Sequence, residues 1–141
     1  MVRELQVAVD CAEPARLARF WAEVLGYRRA DPPPGHPSWA AFSAAVGVPG
    51  EAWDAVVDPE GVRPRVLFHR GPEAKVVKNR VHLDIRVSGP AGTPTRRRRD
   101  LVDAEVARLL LAGATHLATV DDGGDYFAVL QDPEGNEFCI N

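Results

Sequence analysis

Hydrophobic and polar positions alternate with period two over Leu5-Gln6-Val7-Ala8-Val9-Asp10. Leu5, Val7 and Val9 go to one face of a strand, and Gln6, Ala8 and Asp10 to the other. The period then changes. Leu17, Phe20, Trp21, Val24 and Leu25 recur at the spacing of one helix face, after Glu13-Pro14 and before Gly26. This predicts a helix that proline opens and glycine stops. Tyr27-Arg28-Arg29 reads as a short strand. Residues 31–52 are rich in Pro, Gly, Ala and Ser and show no clear period. They form a long insertion, with a short helix or strand around Trp39. Residues 53–58 and 65–69 read as a hairpin, and 71–80 as a polar linker.

The second half begins with a second alternation. Val81, Leu83, Ile85 and Val87 share one face, and His82, Asp84 and Arg86 the other. A Gly/Pro/Arg-rich insertion follows. A helix is predicted from about residue 100 to 112, with Val102, Val106, Leu109 and Leu110 as its stripe and Gly113 as its stop. Residues 115–120 read as a strand, 121–125 as a turn, and 126–131 with 137–140 as a closing hairpin. Each half therefore reads strand, helix, strand, strand, strand. The tetrad Asp-Pro-Glu-Gly stands in the hairpin of both halves, at 58–61 and at 132–135. Pro presets φ, Asp bonds back to the nearby backbone and Gly accepts positive φ, so each copy is a turn. The repeat points to a duplicated module. The fold class is α+β, with module one at about 1–72 and module two at about 80–141.

With 141 residues, the chain has the length of one domain or of two small modules sharing a core. A net charge of −3 gives no general pull toward nucleic acid or an anionic membrane. The single basic run, Arg96-Arg97-Arg98-Arg99, reads either as a solvated loop or as an anion or partner contact. Cys11 and Cys139 make no disulfide framework, which points to a reducing, cytoplasmic setting. No signal-peptide pattern opens the chain, and no apolar run approaches the ~20 residues of a membrane span.

Candidate chemistry follows from the alternation. A sheet with helices on one face buries its apolar set against them. The polar sets then share the other face: Gln6 and Asp10 with His82, Asp84 and Arg86, joined by Glu137 and Cys139 if Phe138 and Ile140 face the helices. Arg65, Leu67 and His69 occupy the matching strand of module one. A curled sheet would gather these residues around a concave ligand site. His82 suits a metal ligand, an acid/base contact or a structural hydrogen bond. Glu137 suits a ligand or general base, and equally a solvated residue beside a turn. Cys139 reads as a buried small hydrophobe or as a ligand or nucleophile. Asp10, Asp84 and Arg86 have the charges for an ion-pair network. Trp39, Phe42 and Trp53 suit either a cover over a small-molecule pocket or packing at the core edge.

The chain resembles the vicinal oxygen chelate superfamily of glyoxalases, bleomycin-resistance proteins and dioxygenases, and most of all its small bacterial glyoxalase-like proteins. The resemblance is carried by Asp10-Cys11-Ala12-Glu13-Pro14 with Phe20-Trp21 and Leu25-Gly26-Tyr27, by Asn79-Arg80-Val81-His82-Leu83-Asp84, by Gly113-Ala114-Thr115, and by the segment from Asp132 to Cys139. It implies two βαβββ modules forming a U-shaped, mostly antiparallel sheet with helices outside, and a homodimer. It also implies a small-molecule substrate with neighbouring oxygens held by a divalent ion such as Zn, Ni, Mn or Fe, and lyase, isomerase or dioxygenase-type chemistry. The ligand positions carried over are Gln6 and His82 on the first strands and, on the last strands, Glu137 or Cys139 depending on register in module two and Arg65, Leu67 or His69 in module one, of which only His69 can ligate. Asp10, Trp39, Trp53, Asp84, Arg86 and Cys139 are then ligand contacts. The alternative is a metal-free, drug-sequestering protein.

Overall fold

A computed structural model describes residues 1–141. The chain divides into two compact units, Met1–Ala74 and Lys75–Asn141. The first unit runs β1 (Gln6–Cys11), α1 (Pro14–Leu25), β2 (Arg28–Arg29), α2 (Trp39–Ala45), β3 (Trp53–Val57) and β4 (Arg65–Arg70). Its sheet has the order β1-β4-β3-β2; β1 and β4 are parallel and the other pairs antiparallel. The second unit runs β5 (Asp84–Ile85), α3 (Thr95–Ala112), β6 (Thr115–Asp121), β7 (Tyr126–Gln131) and β8 (Glu137–Ile140). Its order is β5-β8-β7-β6, again with one parallel pair, β5 with β8. Both units are thus βαβββ modules, the first with α2 inserted, and the fold is α+β.

The helix of the first unit forms for the predicted reason. Pro14 occupies its first turn, and Gly26 ends it in the left-handed conformation with its N–H on Ala22 O. Leu17, Phe20, Trp21 and Val24 are buried against β3 and β4, where Val56, Val66 and Phe68 complete the core. Burial of each large apolar side chain contributes ~1.5–3 kcal/mol. The 31–52 insertion resolves into α2, which Ser38 caps by accepting from Ala41 N–H at 3.0 Å. Trp39 is buried, with its indole N–H donating to Ala30 O at 3.1 Å. The buried Ser43 hydroxyl accepts from Ala52 N–H.

In the second unit Val102 and Leu109 of α3, Ala128 and Leu130 of β7, and Phe138 and Ile140 of β8 form the core. Two expectations need correction here. Helix α3 starts at Thr95 rather than near residue 100, so the arginine run is its opening turns and not a loop. Arginine is a good helix former, and the change of period that would mark the start is hidden by four identical residues. The strand expected over 81–87 is regular only at Asp84–Ile85. Hydrogen bonds from Cys139 N to Leu83 O and from Val87 N to Asn141 O carry the pairing slightly further. Val81 and His82 lie before it, and Val81 is 80% exposed. Alternation is a property of the sequence, whereas a ladder needs a partner, and β8 begins only at Glu137.

The repeated tetrads build matching turns. In the first, the Asp58 carboxylate accepts from Glu60 N–H and Arg63 N–H, both at 3.0 Å. In the second, Asp132 Oδ1 accepts from Glu134 N–H at 2.9 Å and Asn136 N–H at 3.0 Å, and the Asn136 side-chain amide donates to both carboxylate oxygens. Gly135 holds φ 86°, which a side chain would strain. Asp132 is 2% exposed, so its oxygens have little access to water as a substitute. Asp132→Ala leaves several backbone donors unpaired and is expected to cost ~2–3 kcal/mol. Asp132→Asn, which keeps one acceptor oxygen, should cost less. Chemical unfolding of the two variants against the parent measures this.

Candidate functional site

Strand β5 and its flanks place His82, Asp84, Arg86 and Ser88 along one side, as period-two alternation requires. These four line a cleft of about 680 Å³ in the second unit. Cys139 and Asn141 of the β8 end, Tyr126 and Phe127 of β7, Arg98 of α3 and the loop from Gly89 to Gly92 complete it. The cleft therefore unites His82, Asp84, Arg86 and Cys139 of the expected residues. It adds Arg98 from the basic run, and Ser88, Tyr126 and Asn141, which the sequence reading did not single out. Ser88 and Asn141 were one alternation step beyond the strands considered, so that signal was available.

Glu137 lies elsewhere. Its side chain is one-tenth exposed and pairs with Lys75 Nζ at 3.1 Å. It also accepts from Asn79 N–H at 2.9 Å. These contacts hold its carboxyl far below the usual 4.5, at about 2, with the Asn79 N–H the largest cause. The Asn79 carbonyl faces His82 Nε2 at 2.7 Å. A carbonyl can only accept, so Nε2 carries the ring proton. In the neutral imidazole Nδ1 is then the basic nitrogen. Lys75 and Asn79 were assigned to a linker. Only the fold brings a lysine 62 positions before Glu137 onto its carboxylate.

Cys139 is opposed by Asp84 in the β5–β8 register. Burial first, then the Asp84 carboxylate, raise its thiol pKa. A thiol kept protonated by burial and a neighbouring carboxylate is a poor nucleophile.

In the first unit, the β1–β4 register sets Gln6 against Arg65 and Asp10 against His69. Gln6 Oε1 accepts from Arg65 Nη1 at 2.7 Å. Asp10 Oδ1 lies 3.7 Å from His69 Nδ1, and the His69 ring stacks on Trp53 at 5.3 Å and 12°. Phe42 packs on Trp53 in turn. Asp10 thus meets a histidine of its own unit, and Asp84 a thiol.

The β5–β8 register pairs Asp84 with Cys139 and Ile85 with Ile140 and ends short of His82 and Glu137. In the first unit the register reaches Gln6, which stands level with the Arg65 guanidinium. A divalent cation needs oxygen, nitrogen or thiolate lone pairs. Here one oxygen of the set is held by Arg65 and another by Lys75, and no three His, Cys, Asp or Glu side chains are grouped to hold a metal.

The Glu137 carboxylate makes a pH prediction. Its folded pKa is depressed, so between about 4.5 and 2 the unfolded chain binds the extra proton and folding weakens as pH falls. Its contribution is complete above the unfolded value. Glu137→Gln should be less stable at neutral pH and lose less stability than the parent between pH 5 and pH 2.5. Thermal unfolding across that range measures both.

Comparison with known proteins places this geometry. No curated protein matches the chain. A glyoxalase/bleomycin resistance protein/dioxygenase family enzyme from Burkholderia phytofirmans PsJN is 19% identical, with a TM-score of 0.64 over 96% of this chain and 94% of that one. The fosfomycin resistance protein FosX from Mesorhizobium loti is 11% identical, with a TM-score of 0.63 over 99% and 92%. A mutant FosX from Listeria monocytogenes, in complex with Mn(II) and 1S,2S-dihydroxypropylphosphonic acid, is 9% identical, with a TM-score of 0.64 over 100% and 93%. At these identities the likeness shows a shared fold. The family model of the glyoxalase-like domain matches residues 6–141. With the duplicated βαβββ topology, this shows that the chain belongs to the glyoxalase-like domain family.

Proposed function

We propose that this protein binds a small polar molecule in the cleft of its second unit, and does so without a metal held by Gln6, His69, His82 and Glu137. The observation that carries the reading is the state of Glu137, whose carboxylate is occupied by Lys75 and Asn79. The cleft supplies the contacts instead. Asp84 can accept from a hydroxyl or an amine, and Arg86 and Arg98 can donate to oxygens. His82, with Nε2 directed to Asn79 O, keeps Nδ1 to exchange a proton with a bound hydroxyl. This is the metal-free alternative within the superfamily. Its rival is the metal-assisted reaction that the Mn(II) complex of FosX brings to mind. There Mn(II) would act as a Lewis acid on neighbouring substrate oxygens.

Two measurements on tag-free protein separate the readings. Elemental analysis after incubation with Mn, Fe, Ni or Zn should find far less than one metal per chain. One equivalent that disappears in His82→Ala would overturn the metal-free reading. Thermal-shift screening of dicarbonyls, hydroxyketones, catechols and diol phosphonates should give a stabilising compound whose effect survives EDTA. Saturating ligand at about 100 times Kd stabilises by ~2.7 kcal/mol. The shift should fall by more than half in Asp84→Asn. A full shift in that variant would place the ligand outside the cleft.

A further inference from the structure

The cleft is chemically uneven along its length. Its β5 side runs from His82 and Asp84 to Arg86 and Ser88, and beyond Ser88 the loop from Gly89 to Gly92 leads into α3, where Arg98 joins the lining. Two guanidiniums of the lining, Arg86 and Arg98, stand on either side of Ser88 along the chain. Neither Arg86 nor Arg98 is in an ion pair, whereas the neighbouring Arg99 is occupied by Asp121 at 2.6 Å and by the Tyr126 ring. Asp84 and Asp125 also line the cleft. Asp84 stands opposite Cys139 in the strand register, and neither acid pairs with the two arginines.

Ser88 is the second observation. It is only 7% exposed and lines the cleft. Its backbone N–H donates to Asn141 O at 3.2 Å, but its hydroxyl has no hydrogen-bond partner in the protein. The hydroxyl oxygen itself is not sealed off: it opens to the cleft, where it can donate to a bound acceptor. Gly89 keeps the loop close beside it. Its φ is 83°, and a Cβ there would come within 2.7 Å of Thr93 Oγ1. Thr93 is itself tied to Pro90 O by its N–H and its hydroxyl. The loop is thus held, and the serine that precedes it keeps a free donor in the same cleft lining as two unpaired guanidiniums.

We infer that the Arg86–Ser88–Arg98 end of the cleft is a subsite for an oxyanion group of the bound molecule, with the Ser88 hydroxyl donating to the anion and the two guanidiniums neutralising it. The pairing is of the charge-assisted kind, to which arginine is suited by its fork of donors. The inference rests on the cleft being the ligand site, and adds that the ligand carries a negative group at this end.

Inorganic phosphate is the probe, titrated into the full ¹⁵N-labelled chain at constant ionic strength. The expected result is saturable shifts of the Ser88, Gly89, Gly92 and Arg98 amides. Arg98→Gln and Arg86→Gln should each weaken the affinity about tenfold or more, and Ser88→Ala several-fold. Arg96→Gln, in the same basic run but outside the cleft lining, should change it less than twofold. Absence of saturable shifts at these amides would overturn the subsite. So would an equal loss in Arg96→Gln, which would mean diffuse attraction to the arginine run. Unperturbed spectra of the free variants show that they fold. Phosphate binding reads the subsite directly, so failure of the ligand screen and failure of the subsite are separate results.

Discussion

The arrangement of the second unit depends on where the charge of Glu137 goes. A carboxylate one-tenth exposed has to be paired, and Lys75 Nζ and the Asn79 N–H do it. That pairing draws the segment preceding β5 onto the start of β8. It holds Asn79, and Asn79 holds His82 through its carbonyl. The side chain that family resemblance marks as a metal ligand is thus the anchor of the wall on which His82 stands. Removing its charge would loosen the segment that orients the imidazole, before any question of chemistry arises.

The two units are built alike and use their equivalent positions differently. Each has a parallel pair joining its first and last strands, and each has the aspartate-anchored turn before the last strand. In the second unit Glu137 is held by Lys75 and Asn79, and in the first Arg65 donates to Gln6. The cleft of the second unit is lined by an imidazole, two carboxylates and two guanidiniums that are in no ion pair, so it offers a polar ligand both signs of charge.

Aromatic residues illustrate how the same sequence signal divides. Trp39 and Trp53 both stand near the 31–52 insertion. Trp39 is 7% exposed, and its N–H is taken by Ala30 O, so it fastens α2 to the unit. Trp53 is half-buried between Phe42 and the His69 ring. The stack makes His69 part of an aromatic surface, with Asp10 at its edge.

Local signals determined much of this protein. Periodicity defined the strands and α1, because side-chain direction follows backbone repeat. The Asp-Pro-Glu-Gly tetrads defined the turns, because proline, aspartate and glycine bias φ and supply a local hydrogen bond. Alternation also placed His82, Asp84 and Arg86 on one face, and the structure keeps them together in the cleft. The start of α3 was hidden, because arginine is compatible with both helix and loop. The shortness of β5 was hidden because a strand is completed by its partner. The tertiary structure alone decided the fate of Glu137 and Gln6. Their neighbours Lys75 and Arg65 lie 62 and 59 residues away along the chain. Whether a carboxylate or a carboxamide is free to meet a metal depends on which cation reaches it first, and no local pattern encodes that contact.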